Sequence, residues 1–157
     1  MNTLSGLDPK NYEAKVDGKS TALYVLTNAN GAEICVCNYG GIIVSMMMPD
    51  RNGKLDNVVL GLNNIQDMVN EVNPYLGAAI GRYGNRIANG KFSIDGVEYT
   101  LPQNNATNCL HGGLRGFSHH VWDAEQTNKQ TLVLKYVSAD GEEGFPGTLS
   151  VEMTYTL

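Results

Sequence analysis

Asn85, Arg86 and His111 are the side chains of this 157-residue chain whose types and surroundings best suit recognition chemistry. The first two lie in Gly81-Arg82-Tyr83-Gly84-Asn85-Arg86-Ile87, the third in Asn108-Cys109-Leu110-His111-Gly112-Gly113. A guanidinium presents a planar fork of donors that matches neighbouring hydroxyls or a carboxylate. A neutral imidazole donates to or accepts from a hydroxyl and titrates near neutrality. Glycines beside the histidine let backbone and ligand approach closely. The functional reading of the first segment is an Arg–Asn pair facing a polar ligand, and that of the second is a histidine meeting a sugar hydroxyl. Taken singly, each segment also has a plainer reading. A surface arginine in a salt bridge is the simpler account of the first, and a hydrogen-bonded structural histidine fits the second equally well.

Other constellations are weaker. The glycines around Arg82 lack the third glycine and following helix of a dinucleotide-binding turn. His119 and His120 are adjacent, so on a strand they point to opposite faces and do not join His111 at one ion. Cys35 and Cys37 share a strand face, but no neighbouring cysteine or His-x-His spacing completes a metal site. Neither metal nor organic cofactor is expected. Glu142-Glu143 precedes Gly144-Phe145-Pro146-Gly147 and reads as a solvated turn; either acid is a conceivable general base, with no acid partner in sight. Met46-Met47-Met48 and Trp122 read as core.

The elements that must position these residues are strands. The chain is 42% hydrophobic and 17% charged, and its 18 glycines often adjoin Asn or Asp, which favours tight turns. Alternation predicts a hairpin over residues 21–37 with Asn30-Gly31 in a type I′ turn. It also predicts a buried strand from Ile42 to Met48, a short one at Val58-Val59-Leu60, and a helix of at most two turns from Asn63 to Asn70, capped by Asn63 or Asn64. A second hairpin joins Lys91–Ile94 to Val97–Leu101 across Asp95-Gly96. Residues 102–120 form a loop long enough to imply function. Strands resume at Val121-Trp122 and Thr131–Val137, and a Gly-rich loop fills 140–147. From Leu149 to Leu157 the alternation continues into the last residue, which reads as a cut chain: one β-rich domain, or part of one. Net charge is −5 with no basic cluster, so nucleic acid is not an expected partner. No run of 18 apolar residues predicts a membrane span, residues 1–6 predict no signal peptide, and three cysteines suggest a reducing cytoplasm.

Four segments in register resemble the aldose 1-epimerase (galactose mutarotase) family: Gly81–Ile87, then Tyr99-Thr100-Leu101-Pro102-Gln103-Asn104-Asn105, then Leu110-His111-Gly112-Gly113, and Asp140-Gly141-Glu142-Glu143-Gly144-Phe145-Pro146-Gly147. The upstream Asn38-Tyr39-Gly40-Gly41 fits as well, and order and spacing follow the N-terminal half of the family. The resemblance implies an all-β fold, part of a large antiparallel β-sandwich, with 1–157 as its N-terminal portion. It implies a family that interconverts the α and β anomers of free hexoses such as galactose and glucose without a cofactor. A carboxylate removes the C1 hydroxyl proton while an imidazolium protonates the ring oxygen, and the opened aldehyde rotates before closing. By the same resemblance Asn85 and Arg86 match the sugar-contacting pair, and His111 matches a histidine near the reacting centre. The family's general-acid histidine lies in a downstream Asn-His-Ser/Thr-Tyr segment and its general-base glutamate near the far C-terminus; neither is present. The expectation is therefore a hexose-binding chain, inactive alone. Its alternatives are a non-catalytic carbohydrate-binding module or a fragment that needs a complementary C-terminal half and self-associates through unpaired sheet edges.

Overall fold

The alternating sequence folds into short antiparallel strands in a computed structural model that describes residues 3–70 and 75–157. In chain order these are β1 (Ala14–Val16), β2 (Lys19–Thr21), β3 (Leu23–Thr27), β4 (Glu33–Cys37), β5 (Ile42–Pro49), β6 (Leu55–Asn57), β7 (Arg86–Ile87), β8 (Lys91–Ile94), β9 (Val97–Thr100), β10 (Cys109–Leu110), β11 (Asp123–Asn128), β12 (Thr131–Ser138) and β13 (Leu149–Thr156). One short α-helix, α1 (Ile65–Asn70), and four short 3-10 turns lie among them in the described residues. Two larger sheets run β3-β4-β5-β6 and β11-β12-β13, and the remaining strands pair as β1-β2, β7-β10 and β8-β9. The expected all-β, antiparallel class is what is observed.

Strand β4 is buried along its whole length: Ile34 to Cys37 carry apolar side chains on both faces, and buried Glu33 at its start accepts from Leu4 N–H. Cys35 and Cys37 face Tyr12, Val44, Ile65 and Met68 in one core. Ile34 and Val36 face the other way, into a core shared with Leu26, Trp122, Leu132 and Leu134. Val151, Met153 and Tyr155 of β13 close that second core, which is the interior of the sandwich. Each fully buried Leu, Ile, Val or Met among them contributes roughly 1.5–3 kcal/mol by leaving water. A third, smaller core of Leu101, Cys109 and Phe145, with Ile87 and Phe92 against it, sits beneath the site.

Three local expectations are corrected. Asn30-Gly31 does not form a two-residue type I′ turn, since only Gly31 of the pair has positive φ. Residues 28–32 form a longer loop, closed by the Asn28 side chain accepting from the backbone N–H groups of Asn30 and Ala32. Val58-Val59-Leu60 is not a strand: β6 precedes it, and Val58 and Leu60 are exposed. Val121-Trp122 contributes one isolated bridge, from Val121 to Tyr39, and the strand itself starts at Asp123. The Asp95-Gly96 hairpin does form, with positive φ at both turn residues, and Asn64 does cap α1, its side chain accepting from Asp67 N–H.

Candidate functional site

Antiparallel pairing of β7 with β10 sets Arg86 opposite Leu110 and Ile87 opposite Cys109. That pairing places Asn85 against His111, 26 residues away. The two residues exchange hydrogen bonds. His111 N–H donates to the Asn85 carbonyl at 3.0 Å, and Asn85 N–H donates to His111 Nδ1 at 3.0 Å. A backbone amide can only donate, so Nδ1 is an acceptor and the neutral ring carries its proton on Nε2. Both residues adopt positive φ, 66° at Asn85 and 52° at His111. Asparagine tolerates that region; histidine does so less readily and must be held there.

Arg86 Nε donates to Asn105 Oδ1 at 2.9 Å and Nη1 to Asn85 Oδ1 at 3.2 Å. These bonds orient the fork and leave Nη2 without a protein acceptor among the described residues. The side chain of Asn104 braces the histidine turn, donating to the carbonyls of Leu110 and Gly113 and accepting from Leu110 N–H. Gly112 passes so close to Gly81 that a Cβ would lie 1.7 Å from the Gly81 carbonyl oxygen. All three predicted residues therefore stand together. A cavity of about 580 Å³ opens beside them, walled by Tyr83, Ile87, Phe92 and Phe145 with Arg82 and Arg86 at its rim. It reaches Arg86 but is not lined by Asn85 or His111.

Neighbouring residues have duties that the sequence did not disclose. Arg82 is no surface ion pair. It donates to Ser138 Oγ and to the carbonyls of Ser138, Ala139 and Pro146 at 2.7–3.0 Å. Glu142 is not a solvated acid either: it accepts from Tyr136 and Ser138 hydroxyls and faces His120 Nε2 at 3.4 Å. Burial, then the adjacent Glu142, raises the Tyr136 hydroxyl pKa, so the phenol keeps its proton and donates. Glu143 Oε2 accepts from Leu114 N–H at 2.6 Å. Tyr75 was missed altogether; its ring lies 4.7 Å from that of His111 and 6.1 Å from that of His119. Burial, followed by the neighbouring Arg115, lowers the His119 pKa. Among the described residues no three His, Cys, Asp or Glu side chains converge on a point that could hold a metal ion. No helix among them is long and apolar enough to cross a membrane.

Comparison with known proteins gives these geometries a family. A sequence model described as Aldose 1-epimerase matches residues 22–157. Galactose mutarotase of Rattus norvegicus is 44% identical over 122 residues, covering 78% of this chain and 35% of its own. Aldose 1-epimerase of Escherichia coli (strain K12) is 33% identical over 141 residues, covering 90% and 40%. Among solved structures, an aldose epimerase homologue from C. elegans superposes with a TM-score of 0.82 at 27% identity over 87% of this chain and 42% of that one. Galactose 1-epimerase from Lactobacillus acidophilus NCFM gives 0.78 at 29% identity over 90% and 42%. The chain thus spans well under half the length of these relatives. Their shared fold is the sandwich described above, and the chain belongs to the aldose 1-epimerase family.

Proposed function

We propose that this chain binds a free hexose, galactose or glucose, through Asn85, Arg86 and His111, as the sugar-holding part of an anomer-interconverting site. The observation that carries this reading is the convergence of the three residues, with His111 offering an Nε2–H donor and Arg86 an unengaged Nη2 edge. Two such donors suit the lone pairs of sugar oxygens. Ring opening requires one group to take the C1 hydroxyl proton and another to protonate the ring oxygen. The nearby acids are engaged elsewhere, Glu142 by two hydroxyls and Glu143 by a backbone amide. The chain alone therefore binds without catalysing, in the manner of a carbohydrate-binding module. Three buried free thiols support a reducing, cytoplasmic setting.

Calorimetry with galactose and glucose, alongside polarimetry of anomer exchange, tests the proposal. The expected result is weak binding that disappears in His111→Ala, with exchange at its buffer rate. No detectable binding at millimolar sugar overturns the binding reading. Catalysed exchange abolished by His111→Ala overturns the inactivity.

A second reading has its own observation. The outer edge of β13 pairs with no strand among the described residues, and Val151, Met153, Tyr155 and Leu157 are only half-buried. Such an edge favours a further strand, from a second copy or from a complementary C-terminal half of the family fold.

A further inference from the structure

We propose that Glu143 is a positioning residue for His111. Its carboxylate fastens the Leu110–Leu114 turn in the one backbone conformation that presents the imidazole as an Nε2–H donor. The proposal rests on the reading of His111 as a sugar-binding residue and adds a residue from a different loop to that site.

Three consecutive residues of the turn have positive φ: His111 at 52°, Gly112 at 90° and Gly113 at 107°. For the histidine this conformation is unfavourable and persists only where the surroundings impose it. Two side chains do so. Asn104 holds Leu110 and Gly113, as described. Glu143 takes the next amide, Leu114 N–H, at 2.6 Å, a bond strengthened by the acceptor's charge. Space for it exists because residue 113 is glycine: a Cβ there would lie 2.2 Å from Glu143 Oε2.

The loop that carries Glu143 is itself fixed. Glu143 stands at a positive φ of 49° between Gly141 and Gly144. Gly144 is pressed against β9, where a Cβ would come within 2.4 Å of the Thr100 carbonyl oxygen. Phe145 is buried in the core beneath the site, and Arg82 grips the Ala139 and Pro146 carbonyls on either side of the loop. Arg82 belongs to the same segment as Asn85, whose N–H fixes the His111 ring. The segment 81–86, the turn 110–114 and the loop 139–146 thus form one closed circuit. Glu143 is the link that acts on the histidine turn without touching the ligand-facing atoms. Losing its carboxylate releases Leu114 and lets His111 relax towards negative φ, which breaks the Asn85 N–H to Nδ1 bond and frees the ring to protonate on either nitrogen.

The test is long-range proton–nitrogen NMR of the imidazoles, with His111 assigned by the signals missing in His111→Ala, combined with hexose titration. Wild type is expected to show His111 as the Nε2–H form with Nδ1 unprotonated. Glu143→Ala is expected to give a mixture of the two neutral forms and about tenfold weaker hexose binding, the loss of one charge-assisted hydrogen bond. Glu143→Gln, which can still accept from Leu114 N–H, is expected to restore both. If Glu143→Ala does not fold, Glu143→Asp, one methylene too short, carries the comparison. An unchanged His111 nitrogen pattern in the folded alanine or aspartate variant overturns the proposal. The nitrogen pattern is read without sugar, so a wild type that binds no hexose sinks the proposed function while the clamp is still decided by NMR.

Discussion

Arg82 and Arg86 are the same residue type four positions apart, yet the fold gives them opposite work. Arg82 directs its guanidinium into the protein and satisfies Ser138 Oγ and three backbone carbonyls. Arg86 is exposed and is held only by the side chains of Asn85 and Asn105. The difference makes a paired prediction. Arg82→Ala leaves several partly buried acceptors with poorer partners, and about 2–3 kcal/mol of stability is expected to be lost in urea denaturation. Arg86→Ala removes no such support, so stability stays within about 0.5 kcal/mol. Hexose affinity, by contrast, is expected on the proposed function to fall about tenfold or more in Arg86→Ala, through loss of one charged donor. A variant set in which Arg82 controls affinity and Arg86 controls stability would reverse the assignment. Arg86→Lys adds a finer readout: lysine keeps the charge but not the fork, and recovery of binding by lysine would mean that geometry is unimportant.

Strand β4 shows what an element can do that single residues cannot, since it is the wall between two cores. Burial pushes the Cys35 thiol pKa up to about 11 and the Cys37 thiol to about 12, from an ordinary value of 9.0. The folded chain therefore holds these protons more tightly than the unfolded chain. Their contribution to stability is complete below about pH 9 and is lost as pH rises through 11–12. The denaturation midpoint is expected to be flat from pH 7 to 9 and to fall above it, and Cys35→Ser with Cys37→Ala should flatten that alkaline limb. The same burial predicts that iodoacetamide labels neither thiol at pH 8 until denaturant is added. Rapid labelling of the native chain would show that β4 is not the covered strand described here. Elements of this kind differ in how legible they are. The β8–β9 turn was readable because Asp95-Gly96 dictates its own backbone, whereas Asn30-Gly31 was overruled by Asn28, whose side chain closes a wider loop. Val58-Val59-Leu60 had the composition of a strand, but among the described residues only one backbone bond, from Val58 N–H to the Met46 carbonyl, ties it to β5 and no ladder follows. At the candidate site, Asn85, Arg86 and His111 were singled out by the family resemblance, because residue type and flanking glycines alone left a plainer structural reading open. Tyr75, Glu143 and the inward turn of Arg82 were not, because each acts on a partner far away in sequence that only the tertiary fold brings near.

On the scale of the whole molecule β13 is an edge strand, with β12 on one side and no strand on the other among the described residues. Its inward row packs on the sandwich core yet stays half-exposed, and Leu149 and Val137 add apolar surface that is 41% and 61% exposed. An unpaired strand with an open apolar row recruits another strand, and natural edges normally block this with charges or proline. Between Leu149 and Thr156 the single charge is Glu152, already paired with Lys135 of β12. Concentration-dependent association is therefore expected in sedimentation velocity. Monomers of net charge −5 repel one another, so association through this edge should strengthen as salt screens that repulsion, whereas an interface built on ion pairs would weaken. Ser150→Lys with Thr154→Lys places two new charges on the exposed side of β13 and should shift the protein to monomer at the same concentration. His111 and its partners lie outside β13, so hexose binding should survive that double substitution. Association that persists with both lysines in place would assign the contact to another face, and a monomer at all concentrations would show that the β13 edge is quiet despite its composition.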